Sequence, residues 1–350
     1  MFYKVGDART AIGEDVPHDW SLQPSKHADA LGPECGSLVR VIRRSHLEET
    51  IGALEAADRD AVRARNRYKW LANWSARFSF VAALIAVLVL LVTVGLLDWA
   101  SHLKWLSYAQ AAALGLSIVL SFLLAYFRPF AAWMEHRAEA EYQRIHYFDR
   151  VVGAEEPAAD GELPLLPLQL EYFRRYQLDV QRKYYKERGA EHQRAERWAT
   201  GLRVIALIII GLSVVPALAA GFGWSVTDLT GGFIGGADQR DAQKLDILVI
   251  ALSTAGAALQ GLLAASALIN LDERNAARYA ATSQNLETLG SRPLDEARTA
   301  AAAGDVKSVR DFVQLVQDQT SSEHREWVDL RRVAPNQSLK QLKEVWHIRK

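Results

Sequence analysis

Uncharged residues of this chain are concentrated in four blocks, and the charged residues fill the stretches between them. Residues 78–97, 105–127, 204–224 and 247–271 contain no Asp, Glu, Lys or Arg. A helix of about 20 apolar residues is long enough to cross the hydrocarbon core of a bilayer. The pattern therefore predicts an all-α membrane protein with four transmembrane helices.

Lys and Arg are distributed unevenly among the segments that connect these blocks. The middle connection, residues 128–201, carries twelve of them. The loop after the first block has only Lys104, and the loop after the third has Arg240 and Lys244. Because translocated loops are poor in basic residues, both termini and the middle connection are expected to be cytoplasmic. The four helices are therefore expected to form two membrane hairpins in series.

Helical periodicity continues outside the apolar blocks and predicts helical cytoplasmic extensions. Apolar residues recur at intervals of three or four around residues 47–61 and 134–152, and Pro129 suits the first turn of a helix. A closing amphipathic helix is predicted from one apolar face, which comprises Val306, Val309, Phe312, Val313 and Val316.

The layout is a weak internal repeat in which an approach helix, a hairpin and a returning helix occur twice. The predicted units are residues 45–152 and 168–330, separated by a linker at 153–167 that is rich in Pro, Gly and Ala. Residues 1–44 form a cytoplasmic N-terminal segment without a recognisable period. A C-terminal tail follows at 331–350.

Charge and motif searches exclude several classes of function. The 41 basic residues balance the 41 acidic ones, so no bulk charge favours nucleic acid. No signal peptide is expected, and Cys35 is the only cysteine, which we interpret as a structural thiol. His324 has no second histidine at helical spacing, and the glycine cluster at 231–236 lacks the Lys-Ser/Thr pair of a phosphate loop. We therefore expect no catalytic, metal or cofactor site.

Polar residues inside the apolar blocks are the candidate site. They lie on single helix faces: Gln110, Ser117 and Ser121 in the second block, and Ser253, Ala257, Gln260 and Gly261 in the fourth. Small residues allow close helix packing, and polar groups in hydrocarbon need a partner or water. The faces are therefore expected either to pack against helices or to line an aqueous path in a homo-oligomer. Pro216 in the third block is a possible hinge.

Gln260 separates the two interpretations, because counting along the fourth block places it near the middle of the bilayer. An unpartnered amide there costs several kcal/mol. If Gln260 lines a water path, Gln260→Leu should reduce conductance sharply, and this is the expectation from sequence. If it only packs, the change should be small.

The chain resembles tandem SLATT domains, the two-transmembrane effectors associated with SMODS nucleotidyltransferases and SLOG sensor domains in bacteria. The resemblance spans roughly residues 45–330. It is carried by Tyr68-Lys69-Trp70 before the first hairpin, by Gln181-Arg182-Lys183-Tyr184-Tyr185 before the second, and by Glu323-His324-Arg325-Glu326-Trp327 at the end. The chain has no room for an attached SLOG or nucleotidyltransferase domain. The resemblance therefore implies either a separate nucleotide-sensing or nucleotidyltransferase partner or an unfamiliar role for residues 1–44.

The resemblance implies a pore-forming or membrane-disrupting effector in the bacterial inner membrane, acting in a nucleotide-signalled defence or conflict system. It implies no catalytic residue. The alternative is a non-conducting membrane scaffold or sensor whose cytoplasmic helices bind a partner. An intramembrane enzyme is disfavoured, since no ionisable residue of the kind used for proton or hydrolytic chemistry lies in any of the four blocks.

Overall fold

The computed structural model describes residues 5–15, 22–221, 239–270 and 272–321, and this part of the chain contains helices and no strands. The predicted all-α class is therefore confirmed there. In chain order the α-helices are α1 Val5–Ile12, α2 Pro24–Ala30, α3 Gly36–Ile42, α4 Ser45–Thr93, α5 Leu103–Phe127, α6 Pro129–Val152, α7 Leu165–Phe173, α8 Asp179–Gly221, α9 Gln239–Asn270, α10 Asp272–Leu289, α11 Arg292–Ala302 and α12 at 306–321. Short 3-10 turns occupy Pro33–Cys35 and Ala100–His102, and a π-helical turn occupies Arg174–Leu178.

Three segments of the described chain are long and apolar enough to cross a membrane: Ser45–Thr93, Ala100–Val152 and Ile247–Ala267. In their most apolar parts only 11% to 17% of the residues are buried, so most apolar side chains face outward. These segments contain the whole of the second predicted block and most of the first and fourth. The third block is helical from residue 204 to Gly221, where the described stretch ends.

The chain divides into two compact units. The core unit is drawn from Met1–Ala64, Phe130–Glu191 and Asn275–Lys350, and the hairpin unit from Arg65–Pro129 and His192–Arg274. Each unit thus takes segments from both halves of the chain, and α4 and α8 contribute residues to both units. The repeat of 45–152 and 168–330 stays a prediction about the sequence.

The core unit encloses one hydrophobic cluster to which the N-terminal segment contributes. Buried side chains of this segment include Ala8, Ile12, Leu38, Val41 and Ile42. Residues 1–44 had no recognisable period because α1, α2 and α3 are only seven or eight residues long. Helices this short owe their stability to tertiary packing.

Helix α7 is the most deeply buried element of the core unit. Every residue from Pro167 to Phe173 is buried. The helix begins at Leu165, inside the predicted linker, and the irregular segment therefore ends at Pro164. A π-helical turn joins α7 to α8. The pattern of apolar residues in the sequence gave no sign of this turn.

The irregular segment at 154–164, before α7, is held in place by ion pairs and hydrogen bonds to α3 and the 3-10 turn that precedes it. Arg40 forms a bidentate pair with Glu162 at 2.8 and 2.9 Å, and its Nε donates to Glu156 at 2.8 Å. The backbone N–H of Leu163 donates to the carbonyl of Glu34 at 2.9 Å. The segment between the two predicted units is thus part of the core unit's fold.

A buried charge network joins α7, the π-helical turn, α8 and α11. Glu171, only 2% exposed, pairs with Arg174 of the π-helical turn and with Arg298 of α11, the latter at 2.6 Å. Arg174 also contacts Asp179 at 2.5 Å and donates to the carbonyl of Gly13 at 2.9 Å. Because each buried charge has a counter-charge, the network can stay ionised inside the protein.

Two local expectations can be compared with the structure. Helix α6 begins at Pro129, as predicted, and the preceding Arg128 adopts a left-handed conformation with φ 46° that ends α5. Proline disfavours the α conformation in the residue before it, which explains this break. In α12, Val309, Phe312, Val313 and Val316 are buried as expected. Val306 was predicted on the same face, but it is 42% exposed in the first turn of the helix.

Candidate functional site

Helices α4 and α5 pack against each other and are called the first hairpin. Two of the candidate serines, both on α5, contact a serine of α4. The hydroxyl of Ser117 donates to the backbone carbonyl of Ser75 at 3.0 Å, and the Ser75 hydroxyl lies 2.7 Å from that of Ser121. Ser75 and Ser117 are buried between α4 and α5. These contacts satisfy the hydroxyl groups within the hairpin and let the two backbones approach closely.

Ser75 was not among the residues selected from sequence. It lies three residues before the first apolar block, within a basic and aromatic stretch. Ser75 could have been identified as a small polar residue on the first arm of a predicted hairpin whose second arm carries Ser117 and Ser121. The pairing of these serines depends on the register of the two arms, which the sequence did not define.

Gln110 has a different environment from the two serines on its face. It is half-buried near the start of α5, and its amide makes no hydrogen bond to the described residues. The three side chains therefore do not act as one continuous polar row within the chain. Gln110 is the member of this row that is left to bind water or another molecule.

Helices α8 and α9 also pack against each other and are called the second hairpin. Gln260 on α9 contacts α8. Its side-chain amide donates to the backbone carbonyl of Arg203 at 3.3 Å. Arg203 is the residue immediately before the third apolar block, so Gln260 lies opposite the start of that block rather than its middle. Counting within the fourth block alone places Gln260 near the bilayer centre, and this depth stays a prediction.

The row of small residues on α9 does not form the contact between the two arms. Ser253 is half-buried and bonds its own helix through the carbonyl of Ile250 at 2.9 Å, whereas Ala257 and Gly261 are exposed. The close contact is made by Gly256, where an added Cβ would lie 2.9 Å from Cγ1 of Ile210. The row Ser253, Ala257 and Gly261 therefore remains open on the surface of the hairpin.

The possible hinge at Pro216 lies within α8, which is helical on both sides of it up to Gly221. Side chains from residue 212 onward in this helix are outside the described residues. The glycine cluster at 231–236 and the His324 motif also fall outside them. Nothing in the described chain bears on those expectations.

A surface groove in the core unit had no counterpart in the sequence-based expectations. Two cavities of about 620 and 470 Å³ share Val152, Gly153 and Arg310 at the C-terminal end of α6. Gln169 donates to the carbonyls of Val151 and Ala154 at 2.7 and 2.8 Å and caps this helix end. The groove is assembled from α6, α7 and α12, which are far apart in sequence, so no local motif marks it.

Within the described ranges, no group of three or more His, Cys, Asp or Glu side chains is arranged to hold a metal ion. Burial, and to a smaller extent the neighbouring Glu34 carboxylate, raise the pKa of Cys35 to about 11. A thiol with this pKa is a poor nucleophile at neutral pH. Cys35 thus behaves as a packing residue of the core unit.

Comparisons with family models, with curated proteins and with solved structures give no match.

Proposed function

We propose that the protein is a membrane effector whose apolar hairpins insert into a bilayer. The observation that carries this proposal is the outward-facing apolar surface of three membrane-length segments in a chain that otherwise has a well-packed core unit. Soluble monomers rarely expose contiguous apolar surface of this extent, because its contact with water is energetically unfavourable. A bilayer removes that cost.

Aromatic residues at both ends of α5 support the same proposal. Trp105 and Tyr108 lie near its start and Tyr126 near its end, and all three are exposed. At 1.5 Å per residue, Tyr108 and Tyr126 are about 27 Å apart, close to the thickness of the hydrocarbon core. Trp and Tyr are enriched at the two membrane interfaces, where their rings contact both lipid and water.

The full proposal follows the expectation from sequence. Four helices form two hairpins in the bacterial inner membrane, with both termini cytoplasmic, and the chain is a tandem SLATT protein. Its partner is a separate nucleotide-sensing or nucleotidyltransferase protein, and the system defends the cell against infection. The distribution of Lys and Arg supports the orientation, and the quoted approach motifs support the family.

Pore formation would require a homo-oligomer, because the first hairpin uses Ser117 and Ser121, and the second uses Gln260, for contacts within the hairpin. The row Ser253, Ala257 and Gly261 on α9 supports this assembly, since it is open and small residues allow helices to approach closely. Identical subunits usually close such contacts into rings. Gln110 is the other polar group available to face a shared axis.

The alternative is a non-conducting scaffold or sensor, and two observations favour it. The serine contacts of the first hairpin and the Gln260 contact of the second satisfy polar groups without water. The groove at the end of α6 offers the core unit a surface for a cytoplasmic partner. In this proposal the hairpins are anchors only.

Dye release from liposomes tests the two proposals. Purified protein is reconstituted alone and with a candidate nucleotide-sensing partner, and its oligomeric state is measured in the same lipid. Release by an oligomer supports the effector. An oligomer or monomer that stays in the membrane without release, in resting and activated conditions alike, supports the scaffold.

A further inference from the structure

Cationic side chains of α4 lie beside apolar side chains of α5 at one end of the first hairpin. The guanidinium carbon of Arg67 is 4.2 Å from the centroid of the Phe127 ring. Ser75 contacts Ser121, so the stretch of α4 from Arg67 to Ser75 runs alongside the last two turns of α5. Both kinds of surface therefore occur at the same level of the hairpin.

The cations of this surface have no carboxylate partner. No Asp or Glu occurs between Asp60 and Asp98, or between Asp98 and Glu135. Within the described chain, no ion pair involves the four arginines at this end, which are Arg65, Arg67, Arg77 and Arg128.

The preceding turns of α4 and the second hairpin differ in this respect. Arg63 faces Asp60 at 3.2 Å, and Arg59 faces Glu55 at 3.6 Å. The approach to the second hairpin contains Glu187, Glu191 and Glu196, and its Arg188 pairs with Glu191 at 2.6 Å. Arg59, Arg63 and Arg188 thus have carboxylate partners that the arginines at the end of the first hairpin lack.

The apolar part of this surface is exposed and partly aromatic. Trp70 is 57% exposed and Tyr126 is 70% exposed, and Ile118 and Phe122 lie on the same outer face of α5. Arg77 lies over Trp74, with 5.3 Å between its guanidinium carbon and the ring centroid. A soluble anion would neutralise the arginines but leave these apolar side chains in water.

We propose that this surface, formed by Arg67 and Arg77 with Ile118 and Phe122, binds anionic phospholipids. Arg67 and Arg77 are separated by about 15 Å along α4, so each contacts a phosphate headgroup of its own, and the acyl chains lie along the α5 side chains. Anionic lipid thus satisfies both the charged and the apolar half of the surface. The inference rests on the proposed membrane insertion, and it adds a preference for anionic over zwitterionic lipid.

Thermal unfolding of the full chain in mild detergent, with added lipid, tests the preference. Phosphatidylglycerol is expected to raise the melting temperature in a salt-dependent way, whereas phosphatidylcholine and inorganic phosphate are not. Each cation near an anionic lipid surface contributes about a five-fold gain in affinity, so Arg67→Gln with Arg77→Gln should weaken binding of phosphatidylglycerol about 25-fold.

The matched control is Arg59→Gln with Arg63→Gln, which removes the same charge from the same helix at positions that already face carboxylates. It is expected to bind phosphatidylglycerol as the wild type does. A charge-retaining variant, Arg67→Lys with Arg77→Lys, should also keep binding and guards against loss through misfolding. Equal stabilisation by phosphatidylcholine, equal stabilisation by phosphate, or equal weakening in the control would each overturn the inference.

Retention in the membrane after alkaline carbonate washing is measured separately. A protein that is washed off contradicts the proposed membrane insertion. A protein that is retained but shows no preference for phosphatidylglycerol contradicts only the lipid site.

Discussion

The side-chain amide of Gln260 donates a hydrogen bond to the backbone carbonyl of Arg203, the residue just before the third apolar block. The first hairpin has a matching relationship, since Ser117 within the second block bonds Ser75 just before the first. In both hairpins the apolar blocks of the two arms are therefore offset. A polar residue inside the second arm meets the residues that precede the apolar part of the first arm.

This relationship changes the expected effect of Gln260→Leu. Hydrogen bonds between helices in membranes are worth about 0.6 to 2 kcal/mol, and the carbonyl of Arg203 is also available to its own helix. We expect the variant to express and assemble like the wild type and to release dye from liposomes at a similar rate. A sharp fall in release, with oligomeric state unchanged, would restore the water-path interpretation derived from sequence. Gln110→Leu is the matched variant, because its amide makes no contact with the described residues.

Two glycines of α9 allow packing within a hairpin to be separated from packing between chains. An added Cβ at Gly256 would lie 2.9 Å from Ile210, whereas one at Gly261 meets nothing within 4 Å. Gly256→Leu should destabilise the hairpin by about 1 to 3 kcal/mol or more, visible as a lower melting temperature. Gly261→Leu should leave the melting temperature of the monomer unchanged.

The same pair tests assembly. If the open row on α9 joins subunits, Gly261→Leu should shift the protein to smaller oligomers in nanodiscs and abolish dye release. An unchanged oligomer would show that another face makes the contact, and loss of the folded monomer in Gly261→Leu would contradict the described register of α9.

Burial of Glu171 makes it a sensitive position of the core unit. Glu171→Gln removes the buried carboxylate that Arg174 and Arg298 share, and breaking a buried ion pair in this way costs about 3 to 5 kcal/mol. We expect a large drop in melting temperature and faster proteolysis of α1, because Arg174 also holds the carbonyl of Gly13.

The control for this change is Glu296→Gln. Glu296 pairs with Arg292 at 2.8 Å, but both side chains are mostly exposed, at 64% and 88%. Exposed pairs contribute about 0 to 1 kcal/mol. A drop in melting temperature of equal size in the two variants would contradict the buried network.

The sequence was sufficient for the helical class and for the apolar segments, because both depend on local hydrophobicity and spacing. The burial of Val309, Phe312 and Val316 followed from periodicity for the same reason. The exposure of Val306 did not, since a first-turn residue is covered only if another element lies over it. Periodicity predicts which face of a helix is buried, but it does not predict over which turns of that helix a neighbouring element packs.

The candidate site was less predictable than the fold. Whether Ser117, Ser121 and Gln260 pack or line water depends on the register of the arms. Hydropathy does not encode that register when the apolar blocks have similar length. The N-terminal helices and the groove at Arg310 were missed because their residues meet only in three dimensions.

The ion pair between Arg40 and Glu162 holds the irregular segment before α7, and its contribution to stability should depend on pH. Hydrogen bonds from Arg40, followed by the backbone N–H of Ala159, lower the pKa of Glu162 from 4.5 to about 2. Because the pKa is lower in the folded state, the stabilisation is complete above about pH 4.5 and is lost as the pH falls towards 2. Limited proteolysis with pepsin between about pH 5.5 and about pH 2 should therefore cut residues 154–164 increasingly at the acid end.

Glu162→Gln is the control for the pH dependence of the Arg40–Glu162 ion pair. It cannot ionise, so residues 154–164 should be cut already at about pH 5.5, with a weaker dependence on pH. Identical cleavage profiles for the two proteins would mean that Arg40 holds the segment through Glu156 alone.

The buried state of Cys35 allows topology to be tested without replacing it. With its pKa raised to about 11, only about one thiol in a thousand is ionised at pH 8, and the side chain is fully buried. A maleimide should therefore leave Cys35 unlabelled in the folded protein and label it after denaturation. Cysteines introduced at His102, Gly235 and Asp160 can then be labelled one at a time in intact cells. The proposed orientation requires labelling from outside at the first two positions and none at Asp160. Labelling at position 160 would overturn the arrangement of two hairpins with cytoplasmic termini, and labelling of native Cys35 would contradict its burial in the core unit.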